Sequence, residues 1–392
     1  MVESKRASEK AMPTSRRKIL IYGGAAAAIS VAGGWGMLAT PSLSRASAPW
    51  LAAGEGFDDP RLDALSYAIL APNPHNRQPW QFTLVGTDQI DISCDLDRRL
   101  PHTDPFDRQI TIGFGCMIEL LQMAAAQLGY SAQITPFPDG EGQPRLDSGR
   151  VASIRFVADA PAKDPLFASV LHRRSTKEPF SDRAVAQSDL AALGEPLSDA
   201  VRFGHSSSET QHEALSANAW AAWRKEYETD LTRRESIDLM RLGNDAVVAQ
   251  PDGIDLAGPM MSAAHAAGII TKQTLDTPGT MAFDTAYDLY QPMVETTKAW
   301  VWLITQDNSR VDQLASGRNW VRLNLAAQAR GLAVHPWSQA LQEFPEMAPH
   351  YDELRGLLAP DGGTVQMFAR VGYGPEVPAS PRWPLQAKLV DA

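Results

Sequence analysis

Cysteine is nearly absent from the chain of 392 residues, with Cys94 and Cys116 the two present. Two cysteines cannot build a disulfide scaffold, and these match no zinc-ligand spacing. A bridge between Cys94 and Cys116 is compatible with the sequence but not required by it. The eight histidines are scattered and no H-E-x-x-H occurs, so no metal centre is expected. There is no G-x-S-x-G nucleophile elbow and no G-x-x-x-x-G-K phosphate loop. The stretch "GFGCMI" around Gly113 and Gly115 lacks the third glycine and the strand–helix–strand context of a nicotinamide site. Basic stripes are missing from the main body, and the formal net charge is −10, which argues against nucleic acid as a partner.

What is present begins with a basic N-terminus. Lys5, Arg6, Lys10, Arg16, Arg17 and Lys18 precede an uncharged, mostly apolar run over residues 19–39. "SRASA" follows, with small residues at Ala46 and Ala48 as a signal peptidase requires. "SRRKIL" resembles a twin-arginine export signal, so residues 1–48 are expected to engage that export machinery. The run is also near the roughly 20 residues that span a bilayer. The expected location is periplasmic, or anchored in the inner membrane through this segment. Export in the folded state is commonly a sign of a cofactor bound before export.

Hydrophobic residues make up 44% of the chain, enough for a sizeable core. Strands are expected at "WQFTLVG", "QIDISCDL", "VASIRFVAD", "AWVWLIT" and "TVQMFARVGY", with a turn near residues 86–88. "KDPLFASVLHRRSTKEPF" reads as a helix running into a basic loop, and residues 253–292 read as irregular, a lid over something. Two apolar helices align without a gap. "GCMIELLQMAAAQLG" from Gly115 matches "GRNWVRLNLAAQARG" from Gly317, pairing Leu121 with Leu323 and Gly129 with Gly331. Each is flanked by strands in similar order. This reads as a duplicated α+β unit, its first half over residues 49–160 and its second over 161–392, packed about a pseudo-twofold axis.

Three polar clusters fall on loops. "APNPHNRQPW", residues 71–80, holds three prolines with asparagine and glutamine, suited to fixing backbone groups against a flat heterocycle. "HRRSTKEPF", residues 172–180, offers Arg173, Arg174 and Lys177 with Ser175 and Thr176, suited to a phosphate. "VGYGPEVPASPR" ends in Arg382.

Together the three clusters resemble motifs of the nitroreductase family of FMN flavoproteins. "APNPHNRQPW" looks like its A-P-S-x-x-N-x-Q-P-W signature, "RRSTK" like its R-x-S-x-[RK] phosphate motif, and "ARVGYGP…SPR" like its C-terminal strand and tail. The combination is similar to the mycobacterial Acg-like branch. The resemblance implies a nitroreductase-like α+β fold with FMN as cofactor. It implies that Arg173, Ser175 and Lys177 hold the phosphate and ribityl chain and that Arg382 adds to the phosphate end. Pro72, Asn73 and Asn76 would line the isoalloxazine, and Trp337 and Ser338 would lie near its reactive edge. No catalytic side chain is implied. Asn73 replaces the family serine, and Pro74 has no N–H to donate. The first half carries only the ring motif and the second only the phosphate motif, so one composite site is expected per chain. The implied activity passes electrons from a small-molecule donor, through FMN, to a nitroaromatic, quinone or similar acceptor. A protein that binds and shields FMN without turnover is the second reading. Whether the chain self-associates is not legible.

Overall fold

Alternating burial along residues 80–94 makes two antiparallel strands, β1 (Trp80–Val85) and β2 (Gln89–Cys94). Gly86 takes φ 54° at the reversal between them, a conformation glycine adopts without a steric cost. The computed structural model describes residues 41–206 and 208–391. The basic region, the twin-arginine pair and the apolar run lie outside the described residues.

β3 (Tyr130–Pro136) and β4 (Arg150–Ala158) complete a four-stranded antiparallel sheet in the order β1-β2-β4-β3. A second sheet begins with β5 (Arg202–His205). The small parallel pair β6 (Met240–Leu242) and β7 (Ile254–Leu256) lies in the segment that follows. β8 (Ala299–Thr305), β9 (Ala333–Pro336) and β10 (Thr364–Gly372) then complete the order β5-β8-β10-β9, again antiparallel. The fold is α+β, and its two main sheets share one strand order.

Five helices matter to the site: α1 (Pro41–Ala52), α2 (Pro60–Ala68), α3 (Arg108–Gln127), α4 (Glu209–Glu228) and α5 (Arg310–Ala329). α2 starts where the Asp59 carboxylate accepts from the Arg61 N–H, with Pro60 at the first turn. α5 opens on a capping box between Ser309 and Asp312. α3 is apolar nearly all round and long enough to cross a membrane, yet it is buried in the core between the sheets. Each long helix sits in the same place in its half: α3 joins β2 to β3, and α5 joins β8 to β9.

α3 and α5 cross at the two glycines that the sequence alignment pairs. A Cβ on Gly115 would stand 2.1 Å from the Leu314 carbonyl oxygen, and one on Gly317 would stand 1.9 Å from that of Ile112. The contact is reciprocal, because Gly115–Gly317 and Ile112–Leu314 are separated by the same number of residues. Arg108 and Arg310, at the helix starts, share that separation and also exchange halves. Arg108 donates to the carbonyls of Leu341 (2.6 Å) and Gln366 (2.9 Å) in the second half. Arg310 donates to those of Gly142 (3.1 Å) and Pro144 (3.1 Å) in the first. Reciprocal pairing of this kind is the mark of a twofold interface.

Three expectations change. Residues 165–172 form a 3-10 segment rather than an α-helix, with Pro165 opening it and Asp164 capping Leu166. Tyr130–Pro136 is a strand that the sequence reading did not separate from the preceding helix. Residues 253–292 are mainly short helices rather than irregular chain. The threonines and prolines that look like loop residues there are start signals: Thr271 and Thr280 cap helices, and Pro259 and Pro292 sit in first turns. Cys94 and Cys116 are both free and buried.

Candidate functional site

Residues 71–80 leave the end of α2 and are held in a strained path. His75, Asn76 and Gln78 all adopt positive φ, at 46°, 50° and 50°. Non-glycine residues persist there only when their surroundings over-determine them. The constraints are visible. The Asn73 side chain accepts from the Gln78 N–H (2.7 Å) and donates to the Ala71 carbonyl (3.1 Å). Gln78 is fully buried, donates to the Pro251 carbonyl (2.8 Å) and accepts from the Trp383 N–H (2.9 Å). The Lys388 ammonium donates to the Gln78 carbonyl (2.7 Å). Gly253 donates to the Asn76 carbonyl (3.2 Å), so the segment after β6 and the C-terminal tail both brace the loop. Pro72 remains partly exposed, whereas Trp80 is core, edge-on to Phe114.

The carbonyls at the end of α2 have no partners within the helix, and arginines meet them. Arg382 donates to those of Ile69, Leu70 and Ala71, each at 3.1 Å, and to the Asn76 side chain at 2.5 Å. Arg382 is therefore brought to the first loop, but its donors are committed to protein oxygens. Arg173 differs. It is 3% exposed, makes one long contact to the Leu70 carbonyl (3.5 Å), and its Nη1 has no partner among the described residues. Burial and the neighbouring Arg174 pull its pKa down to about 10. Burial, reinforced by Arg173 and with a smaller push from Arg174, pulls Arg382 down to about 9. Three guanidiniums, those of Arg173, Arg174 and Arg382, gather around the Trp50 indole at 6.0, 4.7 and 5.5 Å from its ring.

Lys177 is exposed, and its charge is felt by His75, His335 and Asp255. Ser175 is partly buried, and the Thr176 N–H donates to the Val334 carbonyl (3.0 Å), fixing the 173–177 stretch along β9. His335 accepts at Nδ1 from the Arg370 Nε–H (2.9 Å). Arginine cannot accept, so the proton of neutral His335 is on Nε2. Burial, then Arg370 and Lys177, hold His335 well below its usual pKa. Trp337 lies edge-on to His335, ring centroids 5.5 Å apart, with its polar atom turned to the protein. Its indole is fully buried, donates to the Ala219 carbonyl (2.9 Å) and packs against Trp300. Ser338 precedes a 3-10 turn, and its carbonyl accepts from Leu341.

The structure thus brings Arg173 and Arg382 to the end of α2, beside the loop that carries Pro72, Asn73 and Asn76, and Ser175 and Lys177 lie on the stretch that follows Arg173. The side chains of Asn73, Asn76 and Arg382 serve the loop itself. Sequence reasoning passed over Trp50, Gln78, His335 and Arg370. Gln78 and Arg370 stood inside quoted motifs. Trp50 carried no signal, lying two residues beyond the expected cleavage point. Among the described residues no group of acidic, histidine or cysteine side chains is placed to hold a metal.

The comparisons bear on the class of protein first. Several of the relatives found carry nitroreductase names, although no family model matches the chain. In particular, the chain is 26% identical over 328 residues to Rv3131 of Mycobacterium tuberculosis, whose name assigns it provisionally to the NAD(P)H nitroreductases. That match covers 81% of this chain and 87% of the relative. It is 25% identical over 330 residues to Acg of the same organism, named in the same way, covering 82% and 92%. Among solved structures it is similar to the FMN-dependent nitroreductase NfnB of Mycobacterium smegmatis in complex with NADPH. That match has a TM-score of 0.35 and 17% identity, covering 55% of this chain and 92% of NfnB. A nitroreductase with bound FMN from Bacteroides fragilis matches with TM-score 0.31 and 14% identity, over 57% and 95%.

Proposed function

We propose that the protein is an FMN-dependent oxidoreductase of the nitroreductase type with one composite site per chain. The observation that carries this is Arg173, a buried guanidinium with an unpartnered Nη1 in a cluster of cations, facing a loop fixed by the other half. An isolated buried charge is costly, and a phosphate oxygen is the acceptor that its fork fits. The residues present fit FMN at that end. Arg173, with Ser175 and Lys177, would bind the phosphate and ribityl chain, and the loop at residues 72–76 would present its fixed backbone to the ring. Bound FMN supplies the electron transfer itself. The chain's own part is to bind, to orient and to exclude water. His335 adds a neutral N–H donor on β9, and the Gly253 N–H braces the loop at the Asn76 carbonyl.

The two halves, 49–160 and 161–392, each supply one motif, which makes the chain a fused pseudo-dimer. The reading extends to a nitroaromatic, quinone or similar acceptor. With residues 1–48 taken as a twin-arginine signal or anchor, the donor would be a membrane quinol or redox partner rather than a cytoplasmic nicotinamide. Enzymatic reduction by NADPH together with a non-functional signal would overturn that last point.

Fluorescence titration of the apoprotein with FMN tests the site. Arg173→Met weakens binding by roughly 100-fold, the worth of two charge-assisted hydrogen bonds. An unchanged Kd contradicts the assignment.

A further inference from the structure

Helix α1 spans the expected signal-peptidase site, and it is docked. Leu43, Ala46, Trp50 and Ala53 are 0%, 2%, 6% and 8% exposed, one face at helical spacing. Leu43 and Ala46 pack on Val247 and Ala257. The Ala46 carbonyl accepts from the Arg382 N–H (2.8 Å), and the Trp50 indole N–H donates to the Ser380 carbonyl (2.8 Å). Both anchors belong to the tail that carries Arg382, and they lie on opposite sides of Ala48.

The same indole lies against the guanidiniums of Arg174 at 4.7 Å, Arg382 at 5.5 Å and Arg173 at 6.0 Å from its ring centre, all within cation–π range. Arg382 is already held by carbonyls, and Arg174 donates to those of Leu171 (2.9 Å) and Arg173 (2.8 Å), so the guanidinium that depends on the indole for orientation is that of Arg173. Peptidases act on accessible, extended chain. A site inside a docked helix, in a protein exported already folded, is closed to them.

We propose that α1 is a retained wall of the arginine cluster, with Trp50 a positioning residue for Arg173, so that the mature chain keeps the residues on both sides of Ala48. The role of Trp50 rests on reading the cluster as the phosphate end of a flavin site; retention of α1 does not.

Two measurements on the full chain test this. The mass of the protein recovered from the periplasmic and membrane fractions of an exporting host should include Leu43; a mature N-terminus at Pro49 overturns retention. Trp50→Ala and Trp50→Phe are then titrated with FMN and with riboflavin, which lacks the phosphate. Trp50→Ala lowers the preference for FMN roughly tenfold, and Trp50→Phe keeps it within about threefold. An undiminished preference in Trp50→Ala overturns the positioning role. If Trp50→Ala does not fold, a tenfold loss in Trp50→Phe overturns it as well, since an aromatic face alone should suffice. A wild-type chain that binds neither flavin removes the functional reading, while the mass still decides retention.

Discussion

Arg173 and Arg382 meet the same helix end and differ in what holds them. Arg382 closes six hydrogen bonds to the backbone and side chains of residues 69–76 and the tail. Arg173 is left with one long bond. The two should therefore separate stability from binding. Arg382→Met orphans the α2 carbonyls and destabilises the apoprotein by about 2–4 kcal/mol in a denaturant titration. Arg173→Met removes an unpaired buried charge, so apoprotein stability holds or rises while FMN affinity falls. His75 adds a pH signature. Its Nδ1 is enclosed without a partner among the described residues, and burial, with Lys177 and Arg77, pushes its pKa from 6.5 to about 3. Native protein thus refuses a proton that the unfolded chain accepts. The stabilising contribution is full above 6.5 and is lost as pH falls toward about 3. His75→Gln should flatten the fall in Tm over that window. At this scale the sequence showed residue types but not allegiance. Asn73, Asn76 and Arg382 had the chemistry to contact a ligand, and only the fold reveals that their hydrogen bonds close the loop.

The α3–α5 crossing brings the backbones of the two halves into close contact. Gly115→Ala or Gly317→Ala would drive a methyl into a backbone carbonyl, which no rotamer relieves. Each should cost about 3 kcal/mol or more, read as a drop in denaturant midpoint at constant m-value. α4 carries a different liability. Glu226 is buried with Gln342 as a donor at 3.0 Å, and burial raises its pKa from 4.5 to about 7. The folded protein keeps a proton that the unfolded chain has released. That stabilising contribution is full below 4.5 and lost as pH rises through about 7. Glu226→Gln should stabilise the protein by about 1–3 kcal/mol near pH 8 and by little near pH 5, compared as paired thermal melts. β3, β5, β6 and β7 did not stand out in the sequence, whereas β1 and β2 were legible because burial alternates along them, and β8 and β10 as short continuous apolar runs. β9 was not, since four residues carry too little pattern. The helices of residues 253–292 were hidden because their caps are the residues that also make turns.

Over the whole molecule, duplication was legible in one aligned helix pair and is carried by the fold much further. Both sheets run in the same order, both central helices join the same strands, and both helix-start arginines reach into the opposite half. What the sequence could not show is the long insertion between β5 and β8, which breaks the repeat and delivers Pro251 and Gly253 to the loop of the first half. The two halves are no longer equivalent, and Arg173 of the second meets the start of the first half's loop at Leu70. The most direct test is the visible absorption spectrum of the purified full chain, with flavin extracted and counted. The account predicts about one FMN per chain. Two per chain would contradict the single composite site, and a colourless protein that cannot be reconstituted would contradict the flavin assignment.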